Sequence, residues 1–182
     1  MKRSAIAVVL VLLLFAVASQ AQTPAPKPGP EHKKLEIWVG DWTWEAESKA
    51  TPLGPAGKFT AKASVRPILG GFFVEWRAEE KGPEGTIQWY FIDGYDPVTK
   101  RYTSNRFASD GTVQTFTYTI EGIAVAYSGT EVAGGKQAKF RGAIIFTPSF
   151  MSNVEKREMS VDGKAWMPFA EIKLTKVKSL SK

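Results

Sequence analysis

The sequence contains no cysteine and a single histidine in 182 residues. Without thiols there is no disulfide scaffold, no thiol catalysis, no Cys-ligated zinc and no iron–sulfur cluster. One imidazole excludes a multi-histidine metal site and makes any Ser-His-Asp triad depend on His32 alone. No G-x-S-x-G elbow occurs, and no internal segment has the length and period of a crossover helix. Charge of one sign is also scarce where it would matter. The formal net charge is +6, yet Glu31 to Ile172 carry 17 basic and 18 acidic residues. The surplus is Lys2, Arg3 and Lys27 at one end and Lys173, Lys176, Lys178 and Lys182 at the other. A nucleic-acid surface needs Lys and Arg clustered on the folded body, so nucleic acid is not an expected partner.

What remains is 43% hydrophobic, 12% aromatic and 23% charged, the composition of a globular domain. Met1-Lys2-Arg3 followed by the apolar stretch Ala5 to Ala18 reads as a signal peptide, too short for a comfortable membrane span. Ser19-Gln20-Ala21 places small residues at a cleavage site, so residues 1–21 are a leader and the mature chain begins at Gln22. Residues 22–30 hold four prolines and form an extended linker. The expected domain is 31–178, with a basic tail at 179–182. The protein is expected to be periplasmic or secreted from a bacterium, with no membrane insertion after cleavage.

In residues 31–39, Leu35, Trp38 and Val39 share one face of a short helix that Gly40 ends. From there the period is two. Trp42, Trp44 and Ala46 alternate with polar neighbours, and so do Phe59, Ala61, Ala63 and Val65, then Phe72, Val74, Trp76 and Ala78. Ile87, Trp89 and Phe91 carry a fourth strand, residues 101–107 a fifth, and Phe116, Tyr118 and Ile120 a sixth. Four more follow at 123–130, 137–146, 153–161 and 165–177. Gly70-Gly71, Asp110-Gly111, Glu121-Gly122, Gly134-Gly135 and Asp162-Gly163 supply the turns between them. About ten such strands imply an all-β antiparallel meander with a short N-terminal helix, and closure into a barrel would remove its exposed edges. A two-sheet sandwich has the same periodicity.

The helix followed by Gly40-Asp41-Trp42 resembles the opening of lipocalin-like barrels, in which the Trp packs at the closed end. Further pieces resemble one bacterial family, the domain-of-unknown-function family 1579. They are Leu35 to Glu45, Ile68 to Phe72, the stretch Gly94-Tyr95-Asp96-Pro97-Val98-Thr99-Lys100 running into Arg101 and Tyr102, and Ser109-Asp110-Gly111-Thr112. The resemblance implies a lipocalin-like, calycin-type barrel over roughly 31–177 and adds no mechanism. One departure is Arg106, where the family has an aromatic before the Gly-Thr turn.

Most polar candidates have a structural explanation. His32 lies before the barrel and reads as a surface residue. Asp93, Asp96, Asp110 and Asp162 neighbour Gly or Pro and read as turn residues. Glu75 and Glu79 share the phase opposite to Trp76 and face water, and Glu171 has no facing partner. The aromatics are more informative. Trp44, Phe59, Trp76, Trp89, Phe116, Tyr118 and Phe140 form the expected ligand-binding wall, interleaved with small Ala46, Ala61, Ala63, Ala78 and Ala138. Arg106 joins them as a possible anchor for an acidic head group. Apolarity does not fix its phase: outward is the simpler placement, and the resemblance favours inward. No carboxylate shares a clearly inward phase beside it, although Tyr118 or Tyr127 can share a hydrogen bond. The expectation is a non-enzymatic barrel, without cofactor or metal, that binds a small hydrophobic or amphipathic molecule. An enzyme using luminal Tyr, Arg and carboxylate groups, or a filled barrel serving as an interaction module, would suit the same residues.

Overall fold

The computed structural model describes residues 26–177. The expected leader, most of the linker and the basic tail lie outside them. Pro30, whose fixed φ suits a first helical position, opens α1 (Pro30–Lys33), which tightens into a 3-10 turn at Lys34–Ile37. This short helix buries Leu35 and Trp38.

Ten strands follow: β1 (Gly40–Ser48), β2 (Gly57–Ile68), β3 (Phe73–Gly82), β4 (Gly85–Asp96), β5 (Arg101–Ala108), β6 (Val113–Glu121), β7 (Ala124–Ala133), β8 (Lys136–Phe146), β9 (Ser152–Ser160) and β10 (Met167–Val177). Each pairs antiparallel with its sequence neighbours, and β1 pairs with β10, so the sheet closes into a lipocalin-like barrel and the sandwich is excluded. Hairpin chemistry makes the meander possible. Gly134 and Gly135 both hold positive φ between β7 and β8, the backbone of a tight two-residue turn.

Because side chains alternate across a strand, the ladders fix one inward set. Trp44 lies opposite Leu174 and Ala61, Trp76 opposite Val65 and Phe91, and Phe116 opposite Ser104 and Gly129. A large apolar cluster fills the end nearest the helix, with Leu35, Trp38, Trp42, Val65, Val74 and Phe146 all buried. Trp42 is the plug: it is 1% exposed and its Nε1 donates to the Trp38 carbonyl at 2.6 Å. A smaller cluster of Phe116, Ala138, Phe140 and Met159 packs toward the other end, with Phe169 against it.

Three expectations need correction. His32 is half-buried, because its ring fits edge-on against Phe72 and Tyr95 and its Nδ1 accepts the Gly29 amide. Asp93 is no turn residue. The fourth strand runs on to Asp96, so Asp93 follows Trp89 and Phe91 into the interior and is 4% exposed. Gly94 does not turn the chain there either; it makes room for the Phe73 ring, which a side chain at Gly94 would strike. Finally, Arg106 points inward, since it pairs with Phe91 on one side and Gln114 on the other. Asp96, Asp110 and Asp162 do cap turns, each accepting backbone amides two or three residues on. Glu75, Glu79 and Glu171 lie in the outward phase, each beside a basic residue on its own strand.

Candidate functional site

The barrel interior is not uniformly apolar. Inward positions of β3, β4, β7 and β9 place four carboxyl groups inside: Glu80, Asp93, Glu131 and Glu155. Two guanidinium groups, Arg106 on β5 and Arg157 on β9, face them. Glu80 accepts the indole N–H of Trp44 at 3.0 Å and that of Trp89 at 3.4 Å. Two of the expected wall aromatics are therefore anchored on a carboxylate. Glu155 accepts the Tyr127 hydroxyl at 2.5 Å and also the Arg157 Nε. Glu131 accepts from Gln114 Nε2 at 2.5 Å. Asp93 accepts the Tyr118 hydroxyl at 3.3 Å through one oxygen, and its other oxygen is buried without a partner.

Burial sorts these groups by charge. Burial pushes the Asp93 and Glu131 carboxyls up, toward the neutral form. Burial opposes the Glu155 charge too, but Arg157 outweighs it and holds the group below the usual carboxylate range. The same pair keeps Arg157 firmly protonated, because Glu155 overcomes the cost of its burial. Arg106 is shifted down, first by burial and then by the charge of Arg157. Tyr118 and Tyr127 are raised by burial and by their acidic neighbours.

A cavity of about 1100 Å³, open to solvent, lies along β1, β2 and β8 to β10, away from the helical plug. Four of its inward positions are short: Ala46, Ser48, Gly142 and Ala170. Gly142 is required, because a Cβ would meet the Tyr127 hydroxyl and the Lys156 carbonyl at 2.4 Å. Phe59, Tyr127, Arg157 and Phe169 also line it, together with outward-phase residues that include Glu45, Glu47, Lys58, Lys156, Glu171 and Lys173. The chemistry on offer combines Phe59 and Phe169 with Tyr127 and Arg157, both held by Glu155, and a border of Lys, Arg and Glu side chains.

All eight residues expected to form the wall project inward. Only Phe59 borders this cavity. Trp76 is packed against Trp38 and Phe91 at 5.5 and 5.9 Å, Tyr118 stacks on Tyr102, and Phe140 meets Phe169 at 5.2 Å. Those three belong to the packed interior. Phe116 lies against Tyr127 and under Arg106, and Trp44 and Trp89 hold Glu80. The expectation of no inward carboxylate beside Arg106 fails at Asp93. Glu155 and Arg157 were missed outright. Strand β9 is polar on both faces, so periodicity offers no contrast there, and only its pairing with Phe140 and Leu174 sets the phase.

Residues 27–176 match the family described as protein of unknown function (DUF1579). The chain belongs to this family. Among solved structures, Rv2717c from M. tuberculosis is similar at 10% identity and a TM-score of 0.58, over 82% of this chain and 99% of that one. The S-type phycobiliprotein lyase CPES from Guillardia theta is similar at 13% identity and a TM-score of 0.50, over 84% of this chain and 94% of its own. At these identities the likeness shows a shared barrel fold. No curated protein matches the sequence.

Proposed function

We propose that this DUF1579 protein is an exported, non-enzymatic carrier or receptor that holds a small, largely apolar molecule inside its barrel. One observation carries the reading: Trp42 plugs the helix end, and away from it a solvent-open cavity of about 1100 Å³ reaches the inward residues Phe59, Tyr127 and Arg157. A volume near the upper end of ordinary small-molecule sites, with Phe59, Tyr127 and Phe169 for an apolar body and charged side chains along its border, suits a ligand of this kind. The barrel-shaped neighbours, one of them a phycobiliprotein lyase, are in keeping with a fold that encloses ligands. Short side chains at Ala46, Ser48 and Ala170 act as the space-giving positions.

The test is native mass spectrometry of protein purified from its host, followed by titration of the stripped barrel with an apolar fluorescent probe. A co-purifying small molecule, displaced by the probe, is the expected outcome. Ala46→Trp, which fills the cavity without touching the plug, should abolish probe uptake. A barrel that takes up no probe would instead be a filled scaffold.

A further inference from the structure

Arg106 is a half-buried cation that no carboxylate pairs with among the described residues. Its guanidinium carbon lies 4.7 Å from the centre of the Phe91 ring and 4.8 Å from that of Phe116. Its Nε donates to Ser104 Oγ at 3.0 Å. Among the described residues its two terminal amino groups make no hydrogen bond, and none of the ion pairs includes it. A guanidinium partly withdrawn from water between two ring faces, with its terminal amino groups still accessible, gains strongly from an anion that reaches it.

The interior carboxyl groups do not meet that need. Glu155 is committed to Arg157 and Tyr127. Glu131 is bonded to Gln114 and held toward its neutral form by burial. Asp93 is close enough to act on Arg106 electrostatically, but burial disfavours its charge and it bonds Tyr118 instead. Glu80 is occupied by two indoles. Arg157 adds a second positive charge that Arg106 feels. No carboxylate in the region between β5 and β9 is paired with Arg106, and Phe116 and Tyr127, with ring centres 5.5 Å apart, connect it to the cavity.

We infer that Arg106 binds the acidic group of the luminal ligand, so the ligand is an amphipathic acid with a single carboxylate-like head and an apolar body. The planar fork left after Nε is engaged presents both terminal amino groups to two oxygens of one head group. Ser104 fixes the fork, Phe91 and Phe116 hold it flat, and Arg157 reinforces the positive field. The apolar body extends past Tyr127 into the cavity. This rests on the luminal binding proposed above.

The experiment compares a dansyl-labelled undecanoic acid with its methyl ester by fluorescence titration of the wild type, Arg106→Leu, Arg106→Lys and Asp93→Asn. Far-ultraviolet circular dichroism confirms that each variant is folded. The wild type should bind the acid at least about tenfold more tightly than the ester. Arg106→Leu should remove that preference while sparing the ester, and Arg106→Lys should retain part of it. Asp93→Asn, which takes a competing carboxyl away from the guanidinium, should tighten the acid and leave the ester unchanged. Equal affinity of the wild type for acid and ester, an undiminished preference in Arg106→Leu, or weaker acid binding in Asp93→Asn overturns the assignment while luminal binding stands. If the wild type binds neither probe, the luminal reading falls and this inference falls with it.

Discussion

Replacing Trp42 by Ala probes the plug on which the closed end depends. The indole is 1% exposed, its Nε1 donates to the Trp38 carbonyl at 2.6 Å, and its ring meets Phe146 edge-on at 6.4 Å. The Lys176 ammonium sits 5.0 Å from the ring centre. Truncating a buried Trp costs about 3–5 kcal/mol in transfer and cavity terms. Losing the hydrogen bond to a buried carbonyl adds about 1 kcal/mol, and the cation–π contact about 0.5 kcal/mol. The expected total is about 4.5–6.5 kcal/mol, a large part of the stability of an ordinary domain. Trp42→Phe keeps a ring in the plug and loses mainly the N–H, so it should cost about 1–3 kcal/mol. Urea titration followed by circular dichroism reads both variants, with the Ala midpoint falling by about 2 M or more for a slope near 2 kcal/mol/M. A loss below about 1 kcal/mol for Trp42→Ala would refute the plug, and equal losses for Ala and Phe would show that packing contributes nothing beyond the hydrogen bond.

Asp93 has a pKa raised by burial in the folded state, so the native protein binds its proton more strongly than the unfolded chain does. Its contribution to stability is intact below the unfolded carboxylate value near 3.9 and is lost as pH rises through the folded value. Asp93→Asn should therefore be more stable than the wild type at pH 7, by on the order of 1 kcal/mol, with the gain shrinking as pH falls toward 4; a gain independent of pH would show that ionisation of Asp93 is not its source. Tyr102, Tyr118 and Tyr127 are all shifted up by burial and acidic partners. Their phenolate absorbance should appear only with alkaline unfolding, since stability falls once pH exceeds the unfolded tyrosine value of about 10; spectrophotometric titration alongside circular dichroism checks this. Export is tested by intact mass: the mature protein should begin at Gln22, and a full-length species retained in the membrane would contradict the leader reading.

The two-residue period of the sequence determined the strands, and its Gly and Asp-Gly pairs determined where most of them turn. The helix and Gly40-Asp41-Trp42 marked the plugged end, because an apolar face followed by a Trp has few ways to be buried other than together. Two interior groups were legible in principle. Glu80 shares the phase of Trp76 and Ala78, and Asp93 that of Trp89 and Phe91. They were obscured where turn-forming neighbours, Gly82 and Gly94, masked the last residues of a strand. The tertiary structure alone decided the rest. Pairing of β1 with β10 makes a barrel rather than a sandwich, a choice that lies in contacts more than 120 residues apart and not in any local pattern. The phases of β5 and β9 were likewise set from outside. Both faces of those strands are polar, so burial gives no local preference, and registry with Phe91, Phe116, Phe140 and Leu174 turns Arg106, Glu155 and Arg157 inward. The charged interior of this barrel is therefore a property of how its strands align, imposed on residues that would sit equally well in water.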